Sequence, residues 1–537
     1  MILSIYKNVL KTIQNNIYMG IPAYFSYIIK NHKKIIKVIE SLDEVHNLYM
    51  DCNSIIYDAF YSLEDKIDNV HNNIISAVIS KIRHYITKIK PTRNIILAFD
   101  GVAPVAKLEQ QRTRRTRSQF LNEINANLKN KPNNSWNTNA ITPGTDFMNQ
   151  LGTAITREFE NNNNIIVNFF TPGEGEHKIF EYIRVNPNMH VGLNTIIYGL
   201  DADLIMLSIN HLPITNQIYL FRETPEFIKS LDSSLNPNKL YMIDIPLLTN
   251  QIILDMNNGK EVTGELHKRR IYDYIFLCFF LGNDFMPHFP SINIRTNGIN
   301  ILLDVYRNTF GDTDENLTDG TKIYWKNVRK IIQKLAESEE NYLKHEHIKR
   351  DKGEKRFLPT NTPEEKENKF NSIPSFDRIY EKFINPFEVG WQERYYKTLF
   401  NMKIDDTRKQ QVCQNYMEAL EWTFKYYSSG CHDWRWKYNY NYAPLLEDLI
   451  KFIPYFDTDF IKKKLPNPVT AKTQLAYVLP KTSHNLIEKD VLNKLHPYID
   501  EWYPENFEFK YAYCKYFWES HVDLPEIPID KLELLVN

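Results

Sequence analysis

Seven acidic residues stand where a fold could bring them together: Asp51 in YMDCN, Asp100 in AFDG, Glu174 and Glu176 in PGEGEH, Asp201 and Asp203 in LDADL, and Asp284 in GNDF. Four of them form two pairs at a spacing of two. In GEGE the glycines free the backbone for a tight turn, so both glutamates can aim at one point instead of at opposite faces. Carboxylates about 4 Å apart repel by about 4 kcal/mol at an effective dielectric near 20, so such a cluster needs cations. Oxygen-only ligation, without His or Cys, selects hard ions such as Mg²⁺ or Mn²⁺ over zinc. The chemistry implied is phosphodiester hydrolysis by two metal ions, one lowering the pKa of the attacking water and the other stabilising the leaving oxygen. An isolated DxD or ExE is more often a solvated loop or a helix cap. Five separate acidic segments, most following strand-like or tight-turn sequence, reverse that balance.

A second constellation is basic. KLEQQRTRRTR, residues 107–117, carries a net charge of +4 inside a chain whose net charge is −1. Pro104 suits a helix start, and the sequence to about Asn130 can stay helical. Lys107, Gln111 and Arg114 or Arg115 then share one face. Guanidinium groups bind phosphate oxygens in pairs, so this row, starting just after Asp100, is placed to hold a terminal phosphate beside the metals. A charge run by itself is usually a solvated face; the adjacency to AFDG and the presence of Gln111 favour the pocket.

The elements that must position these groups are an α/β parallel sheet and its helices. Apolar runs stop at carboxylates: Leu48–Met50 before Asp51, Ile95–Phe99 before Asp100, and Ile196–Ile197 shortly before Asp201. They read as buried strands, alternating with helical stretches such as Ile74–Ile89 and Phe147–Phe159. Ligands of such sheets sit beyond the carboxyl ends of the strands, where the acids would converge. After about residue 257 the strand signal fades, and Ile271–Leu281 and Trp325–Leu343 suggest a mostly helical region. The strand-bearing part is expected to end at 256, followed by a helical region over 257–537. Within the last, 337–372 is dense in Lys, Glu and Asn and reads as a mobile polar insertion.

Composition narrows the class. With 43% hydrophobic and 24% charged residues the chain is an ordinary globular protein, neither disordered nor a membrane bundle. Near-neutral charge means that nucleic-acid binding must come from local segregation of charge. The five cysteines lack CxxC spacing, which argues against a zinc site or disulfide framework and fits a reducing compartment, cytoplasmic with the nucleus left open. No apolar run is long enough for a membrane span, and polar residues interrupt the N-terminal stretch, against a signal peptide.

Ordered motifs give the sequence a resemblance. MGIPAYFSYI at Met19, NLYMDCNSIIY, AFDGVAPVAKLEQQRTRR, ITPGTDFM, PGEGEHKI, GLDADLIML with a following FRE, and FLCFFLGNDFMPHFPS resemble, in order, the N-terminal motifs of the Xrn family of 5′–3′ exoribonucleases. The match continues through WQERYYKTLF, YMEALEWTFKYYSSGCHDWRWKYNYNYAPLLEDL and QLAYVLPKTS, reaching from Met19 almost to Asn537. The resemblance implies an extension at 1–18, a Rossmann/PIN-like parallel-sheet nuclease domain over 19–256 and a mainly helical second region over 257–537. It implies a processive, Mg²⁺-dependent enzyme that degrades single-stranded RNA bearing a 5′-monophosphate to 5′-mononucleotides. The seven acids would hold two ions, and Lys107, Gln111, Arg114 and Arg115 would grip the phosphate. Asp273 and Asn53 would support the acids from behind; Asp273 returns to the helical face of Asp284 only if one helix spans both.

Departures from the family are local. Tyr57 stands where a base-stacking His is usual, and it keeps the π-face. Ser54 replaces a common glycine, and Tyr272 the first acid of a frequent DD pair. Trp434 or Trp436, in the aromatic run GCHDWRWKYNYNYAP, would stack on the terminal base opposite Tyr57, although dense aromatics are more often core. The expected partner is RNA, with decapping machinery a further one, no membrane, and a monomeric enzyme. The competing readings are a flap-endonuclease-type DNA nuclease and an inactive RNA-binding scaffold.

Overall fold

The computed structural model describes residues 21, 23–63, 69–129, 136–199, 202–221, 235–236, 239–462 and 464–537. Met19, the stretch 1–18, Asp201 and the Arg-Glu of FRE lie outside them.

Apolar runs too short for helices and bounded by polar residues become strands: β1 (Ile36–Val38), β2 (Asn47–Asp51), β3 (Ile95–Ala98), β4 (Ile165–Asn168), β5 (Thr195–Tyr198), β6 (Ile218–Phe221) and β7 (Tyr241–Asp244). They form one sheet of order β1-β7-β6-β5-β2-β3-β4. Strands β2 to β6 pair in parallel, while β7 is antiparallel to both β6 and β1 at one edge. The chain builds outward from β2 to β4, then returns to lay β5 against β2. That return makes a topological switch point between β2 and β5, and crevices open at the carboxyl ends of strands at such points.

The helices that flank the sheet or shape the site are α1 (Asn53–Ser62), α2 (Val70–Ile89), α3 (Val105–Lys129), α4 (Asp146–Phe159), α5 (Gly175–Val185), α6 (Asp203–His211), α7 (Gly264–Phe279), α8 (Glu339–Glu354), α9 (Pro363–Asn371) and α10 (Asp406–Ser428). Because strand side chains alternate, the sheet feeds two cores. Leu48, Met50, Ile95, Leu97 and Ile196 pack with α1, α2 and α4. Tyr49, Ile96, Ile197 and Leu220 face α5 and α6, and that same core runs on through Phe276 of α7 and Trp422 of α10. The helical half is thus anchored to the back of the sheet that carries the acids.

The stretch 337–372, expected as a mobile polar insertion, contains helices α8 and α9. Its polarity hides the fold because ion pairs do the anchoring: Arg350 and Arg378 both bind Glu381, at 2.8 and 2.7 Å, while Leu343 and Glu339 are buried. Past residue 257 the described strands are Glu508–Lys510 and His521–Asp523, which pair antiparallel. No described helix is long and apolar enough to cross a membrane. All five cysteines are free thiols.

Candidate active site

Six of the seven acids are described, and all six follow strand ends or begin or follow helices on the crevice side. Asp51 closes β2 itself, and Asp100 follows β3 by one intervening residue. Glu174 caps α5 and Glu176 lies in its first turn, while Asp203 opens α6. Helix N-termini favour negative charge, so three of these acids sit where the backbone offsets part of their repulsion. Asp284 comes from beyond α7. Asp51, Glu174, Glu176 and Asp203 are 8% exposed or less.

Hydrogen bonds tie the acidic segments together. Asn53 at the start of α1 donates from Nδ2 to Asp100 Oδ2 at 2.6 Å, and its own Oδ1 accepts the Asp100 N–H at 3.0 Å. The Gly175 N–H donates to Asp100 Oδ1 at 2.8 Å. A β-carbon at Gly175 would stand 2.7 Å from Asp51 Oδ1 and 3.2 Å from the Ala98 carbonyl, so glycine is needed there for close approach. Gly173, at φ +103°, supplies the turn itself.

Two lysines enter this acidic crevice. Lys107, 2% exposed, pairs through Nζ with Glu174 Oε1 and, at 2.7 Å, with Asp284 Oδ2. Its helical spacing assigns it to the phosphate row; the structure places it between two of the acids. Burial raises the Glu174 carboxyl above the ordinary range, and the Lys107 ammonium pulls it back. Lys178 donates to the carbonyls of Phe99 and Phe169, at 2.7 and 3.4 Å, holding the ends of β3 and β4 side by side. Burial lowers its ammonium to about 8, against the pull of Asp100 and Asp51.

Further along α3 the character changes. Gln111 Oε1, Arg114 Nη1 and Arg115 Nη1 are buried and make no hydrogen bond among the described residues. Burial lowers the Arg115 guanidinium to about 10, with Arg114 pushing the same way and Tyr57 opposing it. Buried polar atoms without partners are costly, and a doubly charged oxyanion is the group that would satisfy the two guanidinium donors, Arg114 Nη1 and Arg115 Nη1. Gln110 also takes part, donating to Asp284 Oδ1 at 3.5 Å.

The two candidate tryptophans have different surroundings. The Trp434 ring reaches the Gly173 turn: a β-carbon at Gly173 would stand 4.0 Å from its Cη2. Trp436 instead ends a column of stacked rings inside the protein. Its centroid is 5.3 Å from Trp422, which is 4.8 Å from Tyr426, which is 3.7 Å from His177. Tyr426 Oη donates to Glu174 Oε2 at 2.8 Å, so the column ends on the acids. Asp273 belongs to another network, a correction to its expected place behind the acids. It accepts from Leu317 N at 2.8 Å, Thr318 N at 2.9 Å and Tyr306 Oη, beside Arg270. Helix α7 stops at Phe279, so no single helix carries Asp273 and Asp284.

Sequence reasoning misses Lys178 and Tyr426. Lys178 lies four residues after Glu174 at the start of α5, a helical spacing that points to it. Tyr426 is one of 33 tyrosines, and nothing local marks it.

The donor set fits a hard divalent ion. It consists of carboxylates without a thiolate, and Glu174 and Asp284 already share a cationic group in Lys107. As the side chains stand, no three described Asp, Glu, His or Cys residues form a group that could hold one metal ion. Asp201 is outside that set.

5′-3′ Exoribonuclease 2 of Arabidopsis thaliana is 26% identical over 684 aligned residues, covering 96% of this chain and 66% of the relative. 5′-3′ Exoribonuclease 1 of Schizosaccharomyces pombe is 27% identical, covering 96% and 48%. The chain thus spans about half to two thirds of the length of these relatives. Among solved structures, the catalytic core of Rad2 in complex with DNA substrate aligns at 14% identity with a TM-score of 0.33, over 87% of this chain and 100% of that one. The XRN 5′-3′ exonuclease N-terminus profile matches residues 19–224, and the Xrn1 helical domain profile matches 266–382 and 380–536. With its crevice acids, its basic helix and both profiles in order along most of its length, the chain belongs to the XRN 5′-3′ exonuclease family.

Proposed function

We propose that this protein is a processive 5′–3′ exoribonuclease that requires a 5′-monophosphate and a pair of Mg²⁺ or Mn²⁺ ions. One observation carries the reading: a crevice of buried carboxylates adjoins a helix whose Arg114 and Arg115 present buried nitrogens without partners. The names of the relatives support RNA as the substrate.

In this mechanism Asp51, Asp100, Glu174, Glu176, Asp203 and Asp284, with Asp201, would hold the ions. When bound, such ions activate water and stabilise the leaving oxygen of a phosphodiester. Gln111, Arg114 and Arg115 would bind the terminal phosphate, fixing the scissile bond one nucleotide away. Tyr57 and Trp434 would offer π-faces to the terminal base, contacts that carry little sequence preference. Hydrolysis leaves a 3′-hydroxyl on the released nucleotide and a 5′-phosphate on the shortened strand. Each turnover therefore regenerates the group that Arg114 and Arg115 bind, which is the basis for processivity. A cap would not fit a phosphate-sized socket, so capped transcripts would need prior decapping. Lys107 would stay in the crevice as the counter-charge of Glu174 and Asp284.

The test compares products from single-stranded RNA, single-stranded DNA and a DNA flap of matched length. Mononucleotides are expected from the RNA, with slow or no cleavage of the others. Preferred incision at the flap junction would move the protein to the DNA-nuclease reading.

A further inference from the structure

Helix α3 carries four arginines within six residues, Arg112, Arg114, Arg115 and Arg117, and they divide into two kinds. At about 100° per residue, Lys107, Gln111, Arg114 and Arg115 occupy an arc of about 100°, with Arg112 and Arg117 each about 60° beyond one edge. The two flanking arginines donate to backbone carbonyls. Arg112 forks onto the carbonyls of Pro525 and Trp502, at 2.8 and 2.9 Å, and Arg117 donates to the carbonyl of Ser520. One turn on, the Phe120 ring packs on Phe509 at 4.8 Å and Phe517 at 5.9 Å. All these partners come from residues 502–525, a segment more than 370 positions away in sequence.

We infer that residues 502–525 form a strap that fixes the rotation of α3, and that Arg112 and Arg117 are positioning residues for 5′-phosphate selectivity. The inference rests on the phosphate socket proposed above and adds what holds it in register. Neighbouring guanidiniums repel: Arg114 disfavours the charged form of both Arg115 and Arg117. Left alone, such a row would splay toward solvent. Bonds to carbonyl oxygens on both sides of the socket hold the helix so that the ends of Arg114 and Arg115 stay buried and available. Without the strap the arginines remain, but their geometry is no longer set in advance, and small misplacements cost about a hundredfold in well-organised sites.

The test measures kcat/KM on 5′-phosphorylated and 5′-hydroxyl versions of one RNA oligonucleotide, at a temperature where all variants are folded. Arg112→Met and Arg117→Met should each lower the phosphate preference about tenfold or more. Arg117→Lys, which can still reach one carbonyl, should retain it, whereas Arg112→Lys, which cannot fork, should not. A purely structural role would lower melting temperature and both rates together, leaving the ratio unchanged, and that result overturns the inference. Arg114→Ala is the control: an unchanged ratio there removes the socket itself, and the strap with it. Should the methionine variants not fold, hydrogen exchange on the unaltered protein decides. Adding the 5′-phosphorylated oligonucleotide in chelator should protect amides of both α3 and 508–523, because coupling is reciprocal; protection confined to α3 overturns the strap.

Discussion

The Tyr426 hydroxyl donates to Glu174 at 2.8 Å, joining residues 252 positions apart and linking the helical half of the protein to the acid crevice. Stacking between Trp422 and His177 holds the phenol ring in place. A hydrogen bond to a charged group contributes about 1.5–3 kcal/mol. Tyr426→Phe removes only that donor, so kcat should fall about tenfold while the circular-dichroism melt changes little. Unchanged steady-state kinetics would show that the bond does not orient Glu174 in the working enzyme.

Lys107 is the counter-charge of Glu174 and Asp284. Removing one partner of a buried ion pair costs about 3–5 kcal/mol because the remaining charge is left uncompensated. Lys107→Met should therefore melt earlier than the wild type in chelator, and Mg²⁺ should recover more stability in the variant than in the wild type. Equal Mg²⁺-dependent shifts in thermal denaturation would contradict a cation-binding role for these carboxylates.

Trp434 and Trp436 should part company under mutation. Trp436 is stacked on Trp422, so Trp436→Ala should destabilise the fold by about 3 kcal/mol, as truncated packed aromatics do. Trp434→Ala should leave denaturant midpoints close to wild type and weaken RNA binding, since one base–aromatic stack is worth about 1–3 kcal/mol. Urea titrations together with fluorescence-anisotropy binding separate the two effects.

Glu339, buried in α8, accepts N–H groups of Leu446 and Glu447 at 2.9 and 3.0 Å. Burial pushes its carboxyl up to about 8 from an ordinary 4.5. Because the folded state holds this proton more tightly, its stabilising contribution is complete below the ordinary value and is lost as pH rises through about 8. Stability measured by urea unfolding should fall across that window, with a slope from this one proton of at most about 1.4 kcal/mol per pH unit. Glu339→Gln should flatten this part of the profile; an unaltered slope would assign it to other groups.

Much of this architecture is legible locally. Strands β2, β3 and β5 are apolar runs ended by polar residues, and α3 follows Pro104 with few helix-breaking residues to Lys129. The acids can be picked out because strand ends and glycine turns mark them. What is not legible is what distant segments do to these groups. Whether Lys107 faces phosphate or carboxylate depends on where Asp284, 177 residues on, arrives. Asp273 shares the sequence neighbourhood of Asp284, yet the end of α7 between them sends the two into different networks. Helix α8 lacks a strong apolar stripe, so ion pairs and a few buried residues that periodicity does not register hold it, while α9 meets α3 through Asn125 donating to Glu367 and the Phe370 ring against Phe120.

The measurement that bears most directly on the proposed activity is the degradation of one RNA carrying a 5′-monophosphate, a 5′-hydroxyl or a cap, each with Mg²⁺ and with chelator. Stepwise release of mononucleotides is predicted from the monophosphorylated RNA alone, and only with Mg²⁺. Equal degradation of the 5′-hydroxyl RNA, or undiminished cleavage in chelator, would contradict it.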